Sequence, residues 1–265
     1  MIVEIQNAAQ LDKEMLRPCH YGRKMLSCYE GYGIGYDFCR FFSLTDKGKS
    51  AVLMLQNSTL LVSSQDDFSD CEIAIAELGL FVKMHQPFRV EGNQSLLTGL
   101  KLQGYQTLRR SIFQLKPRHV SPVFDLSQIN TEPKLDDVYQ ILSEGFPNLI
   151  SYDLWLTDTS HMIRHGLRHC YTYFGVTAAT AVYDYENHVL VGQVATRTAA
   201  RGKGYARDFL HWIAGDLQQE GKDAILYALD IRASFYQEIG FPLIATESVW
   251  ERLDAEPNAK QKEAL

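Results

Sequence analysis

The chain has 265 residues, of which 46% are hydrophobic and 22% are charged, and this is the composition of an ordinary globular protein. The formal net charge is −6 and the pI is near 5.8, so there is no surplus of Lys and Arg to meet the phosphates of a nucleic acid. No apolar run approaches the roughly 20 residues of a membrane-spanning helix. Composition therefore argues against nucleic-acid and membrane partners.

The cysteines and the chain ends favour a cytoplasmic protein. There are five cysteines, an odd number, and no pair has C-x-x-C spacing, so reduced thiols are the simplest interpretation. Residues 1–10 lack a positive segment followed by an apolar core, so no signal peptide is predicted. Residues 254–265 have no apolar spacing, and we predict a disordered, solvated tail.

The first half of the chain predicts short strands and one short helix. Runs of β-branched and aromatic residues between turn residues are typical of strands. The predicted strands are 38–44, 51–55, 59–63, 88–91 and one that ends at Leu115, with a helix over 93–102. The glycine-rich run 31–36 follows no predicted strand, so we interpret it as a flexible aromatic loop and not as a dinucleotide-binding turn.

A boundary is predicted over residues 116–122, which contain two prolines and little to bury. Proline cannot donate to a β-ladder and disfavours helix in the residue before it, so this segment is typical of a linker. It separates a first domain over residues 1–116 from a second over residues 123–253.

The second half predicts the element order α-α-β-β-β-α-β-α-β. The change from helical to alternating apolar spacing marks each transition. The helices are predicted over 133–144, 152–167, 205–219 and 232–239, and the strands over 171–176, 180–183, 189–196, 224–229 and 241–253. The last of these is either one long strand or a strand pair. The first half repeats the order weakly, which indicates an internal duplication.

The strongest chemical signal is an apolar strand, 189–196, followed by a glycine-rich turn and an amphipathic helix. The turn and helix start contain Arg201, Gly202, Lys203, Gly204, Tyr205, Ala206 and Arg207. The first turn of a helix has unpaired backbone N–H groups and a partial positive charge, and glycines let an anion approach them. We therefore predict a diphosphate cradle, to which Lys203 and Arg207 could add charge.

Two better-known phosphate-binding turns do not fit this segment. A P-loop needs Lys-Ser/Thr after its second glycine, but Tyr205 follows Gly204. A dinucleotide fingerprint needs a third glycine where Arg207 stands. The pattern that remains is R-x-x-G-x-A.

This pattern resembles the acyl-CoA signature of the GCN5-related N-acetyltransferase superfamily, Q/R-x-x-G-x-G/A, with Arg201, Gly204 and Ala206 at its defined positions. A second segment, 230–241, is similar to the closing motif of that superfamily, N-x-x-A-x-x-F-Y-x-x-x-G-F, with Asp230 in place of the usual Asn. The two motifs occur in the expected order, and the resemblance covers about residues 125–253.

The resemblance implies an α/β (α+β) fold of tandem acyl-CoA N-acyltransferase units, each a mixed twisted sheet flanked by helices, with the first unit a degenerate copy. It implies acetyl-CoA as co-substrate and no metal. Main-chain groups of Val194, Ala195 and Thr196 would meet the pantetheine arm, and amides from Gly202 to Arg207 would hold the diphosphate. Tyr236 would protonate the departing CoA thiolate.

The base that removes a proton from the amine is left open between several residues and a water relay. Glu144 and Asp153 flank the first two helices of the second half, and Asp184, Glu186 and His188 lie near the signature strand. The repeated histidines His161, His165 and His169 are interpreted as a solvated or substrate-facing stripe, because intervening arginines would repel a metal ion.

The resulting prediction is an N-acetyltransferase that acts on a primary amine of a small molecule or amino acid by direct attack. Two alternatives stay open: an acyl-CoA-binding sensor without turnover, and an acetyltransferase of proteins or peptides. A homodimer is compatible with the sequence. The first half contains no R-x-x-G-x-A pattern, so it is not expected to bind CoA in the same manner.

Overall fold

The computed structural model describes residues 1–253, and the predicted tail 254–265 lies outside this range. The chain forms two compact units. Within the described range, the first contains Met1–Arg110 and residues 247–253, and the second contains Ser111–Thr246. The division between Arg110 and Ser111 falls inside a continuous strand, Tyr105–Gln114. It does not fall in the proline-containing segment 116–122.

The first half of the chain begins with a short strand and two helices, continues with three strands, and then alternates helix and strand. Its elements in chain order are β1 Ile2–Glu4, α1 Lys13–Leu16, α2 His20–Tyr32, β2 Cys39–Asp46, β3 Lys49–Gln56, β4 Thr59–Ser63, α3 Glu72–His85, β5 Arg89–Gly92, α4 Gln94–Thr98 and β6 Tyr105–Gln114. Neighbouring strands from β1 to β4 pair antiparallel, and β4 pairs parallel with β5.

The second half of the chain repeats this order element by element. Its elements are β7 Ile129–Asn130, α5 Leu135–Gly145, α6 Tyr152–Arg164, β8 His169–Tyr173, β9 Thr177–Tyr185, β10 His188–Thr196, α7 Tyr205–Gln219, β11 Asp223–Leu229, α8 Asp230–Glu238 and β12 Leu243–Arg252. The pairing is also the same: β7 to β10 pair antiparallel, and β10 pairs parallel with β11. The repeated order and pairing are those of a duplicated α/β unit.

The last strand of each half completes the sheet of the other unit. In the first unit, β12 pairs antiparallel with β5, with Trp250 opposite Val90. In the second unit, β6 lies beside β11, and the amide of Leu115, just after β6, donates to the carbonyl of Ala224 at 2.8 Å. The closing strands are therefore exchanged between the two halves of the chain.

The elements predicted for the second half are present with small shifts in their ends. The helix 205–219 has the predicted limits, whereas α6 ends at Arg164 and leaves His169 in β8. The two-residue strand β7 was not predicted.

Two long helices of the first half, α2 and α3, were also not predicted. In α3, apolar side chains occur all round the helix, and Ile73, Leu80 and Met84 are exposed, so no amphipathic spacing marks it. The predicted loop over 31–36 is wrong at its start, because α2 continues to Tyr32 and ends at the left-handed Gly33.

A buried ionic cluster lies in the first unit, where β5, β6 and β12 meet α2. The Arg110 side chain, 4% exposed, donates to Glu91 and to Glu247, and Lys24 donates to Glu91 at 3.0 Å. Tyr21 donates its hydroxyl proton to Glu247. Burial raises the pKa of Glu91, but Arg110 and Lys24 outweigh this effect and hold the pKa well below its usual range.

The second unit has two clusters of buried apolar residues. One core includes the inner residues of α5 and α6 with Ala195 of β10. The other includes the inner residues of α7, β11 and Tyr236 of α8. Ala195 and Tyr236 thus belong to different cores, and the candidate site lies where these meet the end of β10.

Candidate functional site

The site begins where β10 parts from β11. The two strands pair in parallel from His188 and Asp223 to Val191 and Leu226, which is the last pair of their register. Beyond it, β10 bulges against β9 between Gly192 and Ala195, and Gln193 in this bulge adopts a left-handed φ of 48°. A bulge bends and twists a strand, so the end of β10 turns away from β11.

A cleft of about 510 Å³ occupies this opening. Of the residues predicted to bind the co-substrate or act as acid, six line it: Val194, Ala195, Thr196, Arg201, Ala206 and Tyr236. The candidate base Glu144 also lines it, and the sequence analysis assigned no role to the other residues of its wall, which are Gly145, Pro147, Ile231, Arg232 and Phe235. The cleft is thus formed by the end of β10, the end of α5, the start of α7 and one face of α8.

The glycine-rich turn leads from the cleft into α7. Gly202 and Gly204 both have φ of 77°, a left-handed conformation that L side chains rarely adopt. A Cβ atom added to Gly202 would meet no other atom within 4 Å, so the glycine is required by its backbone conformation and leaves open space beside the turn. Gly204 caps α7, whose first amides have no partner within the helix. The turn therefore fits an anionic group.

The remaining predicted cradle residues lie in this turn and not in the lining of the cleft. Arg207 pairs with Asp208 at 3.0 Å, and this hydrogen bond raises the pKa of Arg207. The Lys203 ammonium lies 6.0 Å from the centre of the Tyr205 ring, which in turn packs on Phe174. The charge of Arg207 is therefore balanced by the Asp208 carboxylate. The Tyr205 side chain is engaged with Phe174, so Tyr205 can contact a ligand through its main chain.

Two arginines in the cleft wall bind consecutive carbonyls at the end of α5. Arg201 donates to the carbonyl oxygens of Thr196 (3.1 Å) and Glu144 (3.2 Å). Arg232 donates to the carbonyl oxygen of Gly145 at 3.0 Å, and its guanidinium lies 4.7 Å from the centre of the Phe146 ring. Both side chains cap the negative end of the α5 dipole.

Tyr236 is the acid candidate of the cleft. Its ring packs against Phe113 and Phe235, with ring centres 5.6 and 5.2 Å away. Burial raises the pKa of Tyr236 to about 12, against a smaller lowering effect of Arg232. The phenol therefore stays protonated at neutral pH and can donate a proton.

Glu144, one of the predicted bases, lines the cleft but is already engaged. It accepts a hydrogen bond from the amide of Thr198 at 2.8 Å and pairs with Arg197 at 2.8 Å. The hydrogen bond from Thr198 is the main cause of the lowered pKa of Glu144, and Arg197 lowers it further. A carboxylate held in this way is a weak proton acceptor.

The other predicted bases do not line the cleft. Asp153 is exposed in the first turn of α6. Asp184 pairs with Lys222 (2.5 Å) and with His169 (3.2 Å), and it lies near the opposite end of β10, roughly 25 Å along the strand from Thr196 at ~3.3 Å per residue. Glu186 and His188 lie at that same end.

The predicted histidine stripe is shorter than expected. The rings of His161 and His165 are 4.5 Å apart at the end of α6, while His169 faces Asp184 from β8. Within residues 1–253, no group of three or more His, Cys, Asp or Glu side chains is arranged to hold a metal ion. In the same range, none of the helices combines the length and apolar character needed to cross a membrane.

Comparison with solved structures decides the fold. The chain is similar to a GCN5-related N-acetyltransferase from Sphaerobacter thermophilus, with a TM-score of 0.54 at 16% identity over 79% of this chain and 82% of that one. It is similar to an acetyltransferase of the same family from Colwellia psychrerythraea, with a TM-score of 0.51 at 13% identity over 95% and 98% of the two chains. The chain has the GCN5-related N-acetyltransferase fold.

A third similar structure is the GCN5-related glucosamine N-acetyltransferase region of a fungal multi-domain β-N-acetylglucosaminidase. The TM-score is 0.55 at 11% identity, over 94% of this chain and 38% of that one. No protein-family profile and no curated protein matches the sequence. The N-acetyltransferase fold is thus established from the structure, and the predicted fold class of mixed α/β units flanked by helices is confirmed.

Within this N-acetyltransferase fold, sequence reasoning missed the two features that decide the charge of the cleft. It did not single out Arg232, although the spacing of Arg232 and Tyr236 on one helix places both on the same face. It also did not foresee that Arg197 and Thr198 hold Glu144, because that contact joins residues 53 and 54 positions apart in the chain.

Proposed function

We propose that the second unit transfers the acetyl group of acetyl-CoA to a primary amine of a small molecule or amino acid by direct attack. The observation that carries this proposal is the cleft beyond Val191 and Leu226, with Tyr236 in its wall and the glycine turn beside it. An acyltransfer site needs a channel for the thioester arm, an anion cradle and a proton donor, and these elements supply all three.

The fit to acetyl-CoA rests mainly on main-chain groups. At Val194–Thr196 the main chain has lost its parallel partner, which leaves an edge for the amide-containing pantetheine arm. The left-handed Gly202 and Gly204 bring the amides at the start of α7 close to a bound diphosphate. The side chain of Tyr205 packs elsewhere, so its role in this cradle would be through its amide.

The role of Tyr236 follows from its burial and protonation. As the amine nitrogen attacks the thioester carbonyl carbon, the carbon–sulfur bond breaks and the sulfur gains negative charge. Tyr236 donates its proton to that sulfur, and the proton lost by the amine goes to water. General acid catalysis of this type contributes about 10²- to 10⁴-fold to a rate.

A water relay is the route we propose for the proton of the amine. Glu144 is held by Arg197 and by the amide of Thr198, and Asp153 is exposed outside the lining of the cleft. Neither residue is therefore placed as a free carboxylate beside Tyr236.

A small acceptor is favoured by the named activity of one similar structure. The volume of the cleft, about 510 Å³, does not by itself distinguish acceptors, because the thioester arm would occupy part of it. The similar fungal region is named as a glucosamine N-acetyltransferase, so one structure of this fold acts on a small amine. The alternative acceptor, a protein or peptide amine, would need to reach the same cleft with an extended segment.

The experiment is a thiol-release assay with acetyl-CoA against amines, amino acids, amino sugars, polyamines and peptides. We expect release with at least one small amine, and a loss of about 100-fold or more in kcat for Tyr236→Phe with CoA affinity retained. Tyr152→Phe is the matched control, because its hydroxyl bonds Asp136 on the helix surface.

The outcomes separate this proposal from its alternatives. Release with peptides and with no small amine would favour the protein acetyltransferase. CoA binding with no release for any acceptor would favour a sensor. Equal rates for the wild type and Tyr236→Phe would contradict the role given to Tyr236.

A further inference from the structure

Arg201 and Arg232 carry positive charge into the cleft without a carboxylate to balance it. Among residues 1–253, their contacts are the carbonyl oxygens of Thr196, Glu144 and Gly145 and the ring of Phe146. A guanidinium has five N–H donors, and these contacts use two of those of Arg201 and one of those of Arg232. Donors therefore remain on both side chains for a ligand.

The two guanidinium groups also donate to the same helix end. Each donates to one of two consecutive carbonyls, those of Glu144 and Gly145, at the end of the same helix. Two cations at one helix end repel each other, and an anion that binds both would replace this repulsion with attraction. Glu144 does not serve as that anion, because Arg197 and the amide of Thr198 already hold its carboxylate.

The cations that the sequence indicates for phosphate binding are placed differently. Arg207 pairs with Asp208, and Lys203 lies over the Tyr205 ring, and neither lines the cleft. Arg201 precedes the glycine turn, so its position in the chain connects it with the predicted diphosphate cradle. Arg232 reaches the same helix end from α8, a different element.

We propose that Arg232 is a diphosphate-binding residue that acts with Arg201 on the two linked phosphates of the CoA co-substrate. This inference rests on the proposed function, since it concerns the same cleft. It assigns the main side-chain charge for phosphate binding to Arg201 and Arg232 and not to Lys203 or Arg207. Since Tyr236 follows Arg232 by one helical turn, phosphate binding also fixes the face of α8 that carries the acid.

A purely structural role for Arg232 makes a different prediction. Arginine near a helix C-terminus stabilises the last carbonyls, and this effect does not depend on the ligand. Glutamine at position 232 keeps a donor for the carbonyl of Gly145 but removes the charge. The variant Arg232→Gln therefore separates charge toward a ligand from capping of α5.

The test is calorimetric titration of the full chain with CoA, 3′-dephospho-CoA and pantetheine, for the wild type and Arg232→Gln. We expect Arg232→Gln to weaken CoA and 3′-dephospho-CoA by the same factor, about tenfold or more, because a charge-assisted hydrogen bond is lost. Pantetheine, which has no diphosphate, should bind both proteins equally. If pantetheine binds with little heat, its affinity can be measured by the amount that it weakens the titration with CoA.

The control is Arg164→Gln, which removes the same charge from the exposed end of α6 and should leave all three affinities unchanged. Melting temperatures of both variants show whether each is folded. An equal loss for all three ligands would mean that Arg232 acts only on structure, and a loss for CoA alone would move its partner to the 3′-phosphate. Either result would overturn the inference. A wild type that binds none of the three ligands would instead refute the proposed function itself.

Discussion

The two units share one order of elements and one pattern of strand pairing, yet they differ at the point where the second unit opens. In the second unit, the parallel pair β10–β11 ends at Val191 and Leu226, and a bulge turns the strand aside. In the first unit, the pair β4–β5 continues to Val62 and Gly92, and the amide of Asn93 still donates to the carbonyl of Val62 at 2.8 Å.

A glycine keeps the first pair closed. Gly92 has φ of 141°, and a Cβ atom at this position would lie 1.9 Å from the carbonyl oxygen of Val62. Only a residue without a side chain allows the two strands to approach so closely. Glycine therefore has opposite effects in the two units: it seals one strand pair and shapes the open turn beside the other.

The loops after these strands differ in charge. The second unit has Arg201, Gly202, Lys203 and Gly204 before α7, whereas the first unit has Asp66, Asp67 and Asp70 before α3. Carboxylates at this place repel a diphosphate. The comparison shows that a common order of elements does not carry the cleft and its glycine turn with it, because these depend on one bulge and one loop.

The largest expected effect lies in the ionic cluster of the first unit. Arg110→Gln leaves Glu91 and Glu247 buried without their shared cation, and we expect a loss of about 3–5 kcal/mol in the free energy of unfolding. Urea unfolding measures it. Arg109→Gln on the same strand is exposed and should change stability by less than about 0.5 kcal/mol. Equal effects of the two variants would show that the cluster contributes nothing specific.

A second prediction concerns a carboxylate, of the kind found in the first unit's loop, introduced into the glycine-rich turn of the second unit. Gly202→Asp and Gly202→Asn have the same shape, and both residue types tolerate a left-handed φ better than other side chains. We expect the Asp variant to bind CoA about tenfold more weakly than the Asn variant, since about 1.4 kcal/mol of repulsion corresponds to that factor. Calorimetry measures both affinities, and equal values would place the diphosphate away from this turn.

The smallest expected effect concerns the buried phenol of the second unit. Because burial raises the pKa of Tyr236 to about 12, its contribution to stability is complete below the unfolded value near 10 and is lost as the pH rises toward 12. At pH 11 the wild type should have lost about 1 kcal/mol more than Tyr236→Phe, relative to pH 9. Unfolding free energies at the two pH values measure this. Parallel pH dependences would mean that the phenol is solvated.

The second half of the fold could be predicted because its signals are local. Helix 205–219 has an amphipathic stripe, a glycine turn before it and Gly221 after it, and its limits were predicted correctly. Helix α3 has no such stripe, because apolar side chains occur all round it and Ile73, Leu80 and Met84 are exposed. Its buried residues are selected by packing against strands that are distant in the chain, and a pattern within one window does not show that packing.

The candidate site divides in the same way. The strand edge, the glycine turn and Tyr236 follow from motifs, and the structure places Val194–Thr196 and Tyr236 in one cleft wall. The partners of the charged side chains do not follow from motifs. They are set by tertiary contacts such as those of Arg197 with Glu144 and of Arg232 with the carbonyl of Gly145. These pairs join residues more than 50 positions apart in the chain.

The exchange of closing strands means that the covalent halves of this chain are not its folding halves. A fragment that ends near residue 116 would lack β12 and would present the edge of β5 to any passing strand. A fragment that begins near residue 117 would in turn lack β6 beside β11. The proline-containing segment is therefore a poor place to cut the molecule, and either half produced alone should aggregate or recruit the missing strand from another copy.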